Sequence, residues 1–236
     1  MSSITRIKKH ITIEESDVTI ITDSERYVKI AIEILIQERN HLKKVIKANP
    51  IFQTSFSPLV TQDTSKIILK MQTASEMAQV GPMASVAGVL ADIMCEGMIS
   101  EGAQIAVVEN GGEIMIHSKE DIFIGLYSHT TQVKDTMGFI FKGGTTPLGI
   151  GTSSGTFGHA ISLGKADTVT IFAPSAGVAD AVATKIANSI SRDDKGCILR
   201  PALKISQSLN FIHGVFITCG EKVAKIGNIP EIIFSQ

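Results

Sequence analysis

Five apolar segments in the middle of the chain follow one another with no helical segment between them. They cover residues 103–109, 113–117, 121–128, 137–142 and 147–152. Asn110–Gly111–Gly112 and Gly143–Gly144 separate some of these segments, and Asn-Gly between apolar runs is typical of a hairpin. A run of strands that does not alternate with helices favours an α+β fold with a mainly antiparallel sheet and disfavours a Rossmann arrangement.

Helical spacing of apolar residues predicts three helices around this sheet. The first covers residues 24–48, begins after Asp23 or Ser24 and ends before Pro50. A second, over residues 75–100, is apolar on most faces and is expected to be the central buried helix. The third covers residues 177–190.

Shorter segments rich in Ile, Val and Thr predict the remaining strands. These are residues 4–13 with 17–22 as an opening hairpin, Lys66–Met71, residues 168–173, and 214–219 with 222–226 as a closing hairpin. Apolar residues make up 44% of the chain and charged residues 19%, which is enough for one large core. We therefore expect residues 1–236 to form a single domain.

Charge and cysteine usage narrow the classes of function. A net charge of −1 gives no field that would attract nucleic acid or an anionic membrane. Three widely separated cysteines show neither a disulfide framework nor a metal knuckle. Because the N-terminus also lacks a secretory signal pattern, we expect a cytoplasmic protein in a reducing compartment.

The segment from Gly143 to Gly164 combines seven glycines with seven serines or threonines and carries no Asp, Glu, Lys or Arg. Such a backbone can direct N–H groups and hydroxyls towards a phosphate, so Thr152 and Ser153 are candidate ligand contacts. The alternative is a pair of glycine-rich hairpins. His159 can contact a phosphate or a flavin edge, although a histidine at a strand start is commonly just a satisfied polar residue.

Two further motifs have both a functional and a structural interpretation. Asp180 and Thr184 are four residues apart on the third helix and could present two oxygen ligands to Mg²⁺. Alternatively, Asp180 only complements the positive end of its own helix. Asn110–Gly111–Gly112 is either a tight turn or a turn over which a flat ring can pass.

Together these motifs resemble the ApbE-like superfamily, in which FAD:protein FMN transferases move FMN from FAD to a threonine of an acceptor protein with Mg²⁺. The resemblance rests on Gly88 to Asp92, on Asn110–Gly111–Gly112 followed by Glu113, and on Ala179–Asp180 to Thr184. Thr152–Ser153 and Gly158–His159 also match. The sequence resembles even more closely a compact, uncharacterised family of archaea and bacteria that is grouped with ApbE.

The resemblance implies a flavin or adenine-nucleotide site. In it, Asp180 and Thr184 would bind the metal, while Gly88, the 110–112 turn, Thr152, Ser153 and His159 would contact the nucleotide. Transferases carry a lysine immediately before the first motif's glycine, where this chain has Ala87. This departure keeps an alternative open, in which the chain is a non-catalytic ligand-binding protein or an oligomeric scaffold without an acceptor protein.

Overall fold

An eight-stranded antiparallel sheet forms the middle layer of the protein. The computed structural model describes residues 5–125, 137–153, 166–193 and 196–234. Its strands are β1 (Ile7–Ile13), β2 (Ser16–Thr22), β3 (Ile105–Asn110), β4 (Glu113–Ser118), β5 (Ile122–Gly125), β6 (Met137–Phe141), β7 (Leu148–Ser153), β8 (Thr168–Ala173), β9 (Ser191–Asp193), β10 (Gly196–Ile198), β11 (Gly214–Cys219), β12 (Lys222–Gly227) and β13 (Glu231–Phe234). Its helices are α1 (Glu25–Ala48), α2 (Ile51–Thr54), α3 (Lys66–Ala78), α4 (Val86–Ser100), α5 (Ala176–Ala187) and α6 (Arg200–Ser208).

The large sheet has the strand order β1-β2-β3-β4-β7-β8-β11-β12, and every neighbouring pair is antiparallel. A smaller sheet has the order β13-β6-β5, and β9 pairs with β10 as a separate hairpin. The predicted α+β class with a mainly antiparallel sheet is confirmed.

Helices cover one face of the large sheet and the small sheet covers the other. Along β3, Ala106 and Val108 belong to the core beneath α1 and α4, while Ile105 and Val107 belong to the core beneath β5 and β6. In the second core, the Phe139 ring meets Phe172 edge to face with the ring centroids 4.9 Å apart. Because both of its faces are buried, β3 is apolar from Ile105 to Val108 and does not alternate with polar residues there.

The predicted first helix is confirmed, and its cap is Ser24, whose side chain accepts a hydrogen bond from the Arg26 backbone N–H. The strand predicted at Lys66–Met71 is wrong, because these residues begin α3. The buried residues Ile67, Met71, Ala74 and Ala78 recur at helical spacing only when the whole helix is considered. A short window that contains only the Ile-Ile-Leu run resembles a strand.

The predicted helix over residues 75–100 is interrupted. Helix α3 ends at Gln79, which has the left-handed φ of 55°, and a 3₁₀ turn at Pro82–Ser85 then leads into α4. Within the described residues, Pro82–Ser100 is the stretch whose length and hydropathy would suit a membrane span, yet 56% of it is buried inside the protein. Core helices of soluble proteins have the same profile, and α4 is the predicted central helix.

A disulfide joins Cys197 in β10 to Cys219 in β11, and Cys95 remains as a buried free thiol. The sequence did not show this pair, because 22 residues separate its members and only the tertiary fold brings β10 next to β11. Disulfides are more frequent in oxidising compartments. The expectation of a reducing compartment stays a prediction.

Two glycines in β7 allow α5 to lie directly on the strand. An added Cβ atom would come within 2.0 Å of the Ser175 carbonyl carbon at Gly149 and within 2.4 Å of the Asp180 nitrogen at Gly151. For these two residues, the close backbone approach that the glycine-rich segment suggested is therefore to a helix. They set how near α5 comes to the sheet.

We expect Gly151→Ala to lower the free energy of unfolding by about 3 kcal/mol or more, because overpacking against backbone atoms has no flexible side chain to absorb it. Urea denaturation measures the change. Gly125→Ala is the control, because a Cβ atom there meets no described residue within 4 Å. Equal stability of the two variants would contradict the packing described for α5.

We expect the denatured protein, purified without reductant, to take up one iodoacetamide group, since only Cys95 is free, and to take up three after reduction. Intact-protein mass spectrometry counts the groups. A Cys95→Ser variant should take up none before reduction. Three groups on the unreduced parent protein would contradict the Cys197–Cys219 pair.

Candidate functional site

Helices α4 and α5 cap each other's first turns. The two carboxylate oxygens of Asp92 in α4 accept hydrogen bonds from the backbone N–H groups of Ala176 (2.7 Å) and Gly177 (3.0 Å) at the start of α5. In return, Oδ2 of Asp180 in α5 accepts from the Gly88 N–H (3.0 Å) in the first turn of α4. The first N–H groups of a helix lack intrahelical partners, so each aspartate satisfies the other helix.

The structural interpretation of Asp180 is therefore correct in kind but assigns the wrong helix, because its carboxylate complements α4 and not α5. Asp180 is also buried. Its replacement will consequently affect packing as well as any ligand.

Gly88 lies where the two helices cross. An added Cβ atom would be 2.3 Å from the Ala176 carbonyl oxygen, so only glycine fits. Asn110, at the end of β3, donates from Nδ2 to the Ala87 carbonyl oxygen at 3.0 Å. The peptide unit between Ala87 and Gly88 is thus bound at its C=O by Asn110 and at its N–H by Asp180, and three predicted site residues meet there.

Glu113, the first residue of β4, forms a buried acid pair with Asp180. Burial raises the pKa of Asp180 to about 7, although the hydrogen bonds from Gly88 and Glu113 oppose the rise. Burial and the neighbouring Asp180 carboxylate also raise the pKa of Glu113 well above its ordinary value, against a hydrogen bond from the Thr152 backbone. Near neutral pH the pair therefore retains a proton.

One oxygen of the pair lacks a partner. Among the described residues, Oε2 of Glu113 is buried and makes no hydrogen bond. Two carboxylates and an uncompensated oxygen form an arrangement that a hard divalent cation would neutralise, and Mg²⁺ is commonly bound by one or two carboxylates. The donor chemistry of the pair thus fits Mg²⁺. Within the described ranges, no three His, Cys, Asp or Glu residues cluster at metal-binding distance, so water or substrate oxygens would complete the shell.

Three other predicted residues lie on α5, which carries Asp180, or in the turn that precedes Glu113. Thr184 lies one helical turn beyond Asp180 and is half-buried. Gly111 and Gly112 have φ angles of 64° and 106°, and no described residue lies within 4 Å of a Cβ atom added to either one, so the turn needs glycine for its conformation and not for close packing.

The remaining predictions concern the glycine-rich segment. The Thr152 hydroxyl hydrogen-bonds the Thr170 hydroxyl at 3.2 Å within the sheet, while its backbone N–H faces Glu113. Ser153 ends β7. His159 and the rest of residues 154–165 lie outside the described residues.

A cavity of about 200 Å³ lies beside Asp92 on the face of α4 and α5 that meets α3. Lys70, Thr73, Val89 and Val178 are among the residues that line it. None of its lining residues comes from 143–153, the described part of the glycine-rich segment. Ligand contact by that segment stays a prediction.

Sequence reasoning gave no role to Asp92 or Glu113, although both stand in the motifs that carry the resemblance. One signal was available for each. Asp92 is the acid within the otherwise apolar stretch Val86–Cys95, and Glu113 directly follows the Asn-Gly-Gly turn. A buried acid in such a place is a candidate for a specific structural or functional contact.

We expect the metal-free protein to lose stability as the pH rises from 5 to 8. Because the folded-state pKa of Asp180 is raised to about 7 and that of Asp92 to about 6, the folded state binds more protons than the unfolded state over this range. The loss should be on the order of 4 kcal/mol, since the folded state holds the Asp180 proton over about two pH units and the Asp92 proton over about one, and one pKa unit corresponds to about 1.4 kcal/mol.

Glu113→Gln should reduce this loss and should be more stable than the parent at pH 8, because it removes one buried acid from the pair. Urea denaturation in EDTA across the pH range measures both effects. The control is Glu231→Gln, which changes an exposed acid and should keep the parental profile. An unchanged profile in Glu113→Gln would rule out the pair as its cause.

Comparison with known proteins places this chain in a family. The family model described as "AbpE bacteria" matches residues 2–217. A UPF0280 protein of Methanococcus vannielii is 39% identical over 96% of this chain and 92% of its own length, and one of Methanocaldococcus jannaschii is 38% identical over 96% and 93%.

Solved ApbE structures share the fold at low sequence identity. The ApbE protein of Thermotoga maritima is 14% identical with a TM-score of 0.58, covering 95% of this chain and 97% of that protein. The apo flavinyl transferase ApbE of Pseudomonas stutzeri is 14% identical with a TM-score of 0.56, covering 94% of each chain. The sequence resemblance to the ApbE-like superfamily is thereby confirmed, and this chain belongs to the AbpE bacteria family, with UPF0280 proteins among its relatives.

Proposed function

We propose that this protein binds a flavin or adenine nucleotide beside the Glu113–Asp180 pair and, with Mg²⁺, transfers FMN from FAD to a threonine of an acceptor protein. The observation that carries the proposal is the buried acid pair, in which Oε2 of Glu113 has no hydrogen-bond partner among the described residues. A cytoplasmic location belongs to the same proposal. The related fold of a flavinyl transferase ApbE supports the flavin assignment.

An uncompensated acid pair needs a physical explanation. Buried charges are generally paired or bound to metal because their desolvation is costly. In this chain the Gly88 N–H donates a hydrogen bond to Asp180 and the Thr152 N–H donates one to Glu113. These two bonds only partly offset the desolvation cost of the pair. A bound divalent cation would allow both carboxylates to ionise at neutral pH.

In this proposal Asp180 and Thr184 hold Mg²⁺, with Glu113 beside them. The cation would neutralise charge that develops on the transferring phosphate. The open backbone of Gly111 and Gly112 would accept the flat ring, and Ser153 and His159 would contact phosphate or ribose. FAD and a threonine hydroxyl would then yield threonine-linked FMN, AMP and a proton.

The second candidate function is a non-catalytic ligand-binding or scaffold protein, and Ala87 favours it. Transferases of the superfamily carry lysine at this place, and that cation would assist in binding phosphate. Here the Ala87 carbonyl is bound by Asn110, and the site gains no positive side chain from this position. The two candidates differ in whether AMP is released.

We expect FAD with Mg²⁺ to raise the melting temperature of the parent protein, since a ligand that binds only the folded state stabilises it. Asp180→Asn should weaken Mg²⁺ binding by about 100-fold, as it removes a charged ligand and disturbs the Gly88 contact. Isothermal titration with Mg²⁺ and FAD gives the affinities, and chromatography gives the AMP released in the presence of a threonine-containing acceptor.

The control is Asp63→Asn, which removes the carboxylate that pairs with His41 away from this site. It should bind Mg²⁺ and FAD as the parent does. Binding without AMP release would favour the scaffold candidate. A parent protein whose melting temperature does not respond to millimolar FAD and Mg²⁺ would disprove the nucleotide site.

A further inference from the structure

Asp92 does not belong to the acid pair, yet it binds the helix that carries Asp180. It is 2% exposed, and its two carboxylate oxygens accept separate N–H groups from Ala176 and Gly177. Asp180 follows Ala176 by four residues, so it lies about one helical turn further along the same face of α5. A shift at the start of α5 would therefore also move the Asp180 carboxylate.

Close packing makes this arrangement rigid. Helix α5 meets α4 at Gly88 and β7 at Gly149 and Gly151, where even a Cβ atom has no room. These contacts fix the distance between α5 and its neighbours, but contacts with glycine do not prevent α5 from sliding along its own axis. The two hydrogen bonds from α5 to Asp92 fix its position along that axis.

We infer that Asp92 is a positioning residue, which sets the axial position of α5 so that the Asp180 carboxylate lies between the Gly88 N–H and Glu113. The role of this placement in metal binding rests on the proposed function. The placement of Asp180 does not rest on the proposed function, because the hydrogen bond from Gly88 to Asp180 reports that placement without any ligand.

The chain offers a matched pair of variants at this helix end. Asp92→Asn keeps one acceptor oxygen but places an amide N–H₂ against a backbone N–H, so one of the two bonds is lost. Ser175→Ala removes the other cap of α5, in which the serine Oγ accepts from the Val178 N–H at 3.2 Å. Loss of such a cap typically costs about 1 kcal/mol, so both variants weaken the same helix end.

The metal-independent test is amide hydrogen exchange of the full chain, followed by NMR in EDTA. Asp92→Asn should exchange the Gly88 amide at least ~10-fold faster than the parent, whereas Ser175→Ala should stay within about 3-fold, with the Ile171 amide in β8 as the internal reference. If Asp92→Asn does not fold, Asp92→Ser takes its place, since a hydroxyl retains one acceptor. Equal Gly88 exchange in parent and Asp92 variant, or an equal gain in Ser175→Ala, would overturn the inference.

Metal affinity provides the second readout. Mn²⁺, titrated alone and detected by electron paramagnetic resonance, should bind Asp92→Asn about 10 to 100-fold more weakly than the parent, as for residues that orient a metal ligand. Ser175→Ala should bind Mn²⁺ within about 3-fold of the parent. Parental affinity in Asp92→Asn would overturn the role in metal binding. Absence of Mn²⁺ binding by the parent would instead disprove the proposed metal site, while Gly88 exchange would still decide the placement.

Discussion

The exchange of caps between α4 and α5 is the contact on which the site depends. Asp92 binds the first amides of α5, and Asp180 binds the Gly88 amide of α4. Each helix end would otherwise leave N–H groups without partners inside the core. Because Gly88 has no side chain at the crossing, the two helices come close enough for both sets of hydrogen bonds to form at once.

This arrangement also explains why a buried acid pair can exist next to an apolar core. Backbone amides from Gly88 and Thr152 support the two carboxyl groups, although the pKa of Asp180 still rises to about 7. The remaining cost is consistent with a site that is completed by a ligand, because functional sites commonly sacrifice stability. A well-packed apolar pair would serve a purely structural role better.

Ala87 departs from the motif through which the sequence resembles ApbE-like transferases, which carry a lysine at this place. The Asn110 side chain reaches the Ala87 carbonyl, so this peptide has a defined structural role without the lysine. Under the proposed function, a bound metal would supply the positive charge that alanine at this position cannot. Ligand binding by this protein would therefore not by itself imply transferase activity.

The sequence by itself determined the α+β class, the antiparallel run of strands, the first helix, and the family motifs around Gly88, Asn110 and Asp180. These features are local, because turn glycines, caps and hydrophobic periodicity act over a few residues. Only the tertiary structure decided which helix Asp180 caps, that Glu113 is its partner, and that Cys197 meets Cys219. Those contacts join distant parts of the chain, so they depend on how α4, α5 and the sheet pack together, which no local pattern encodes.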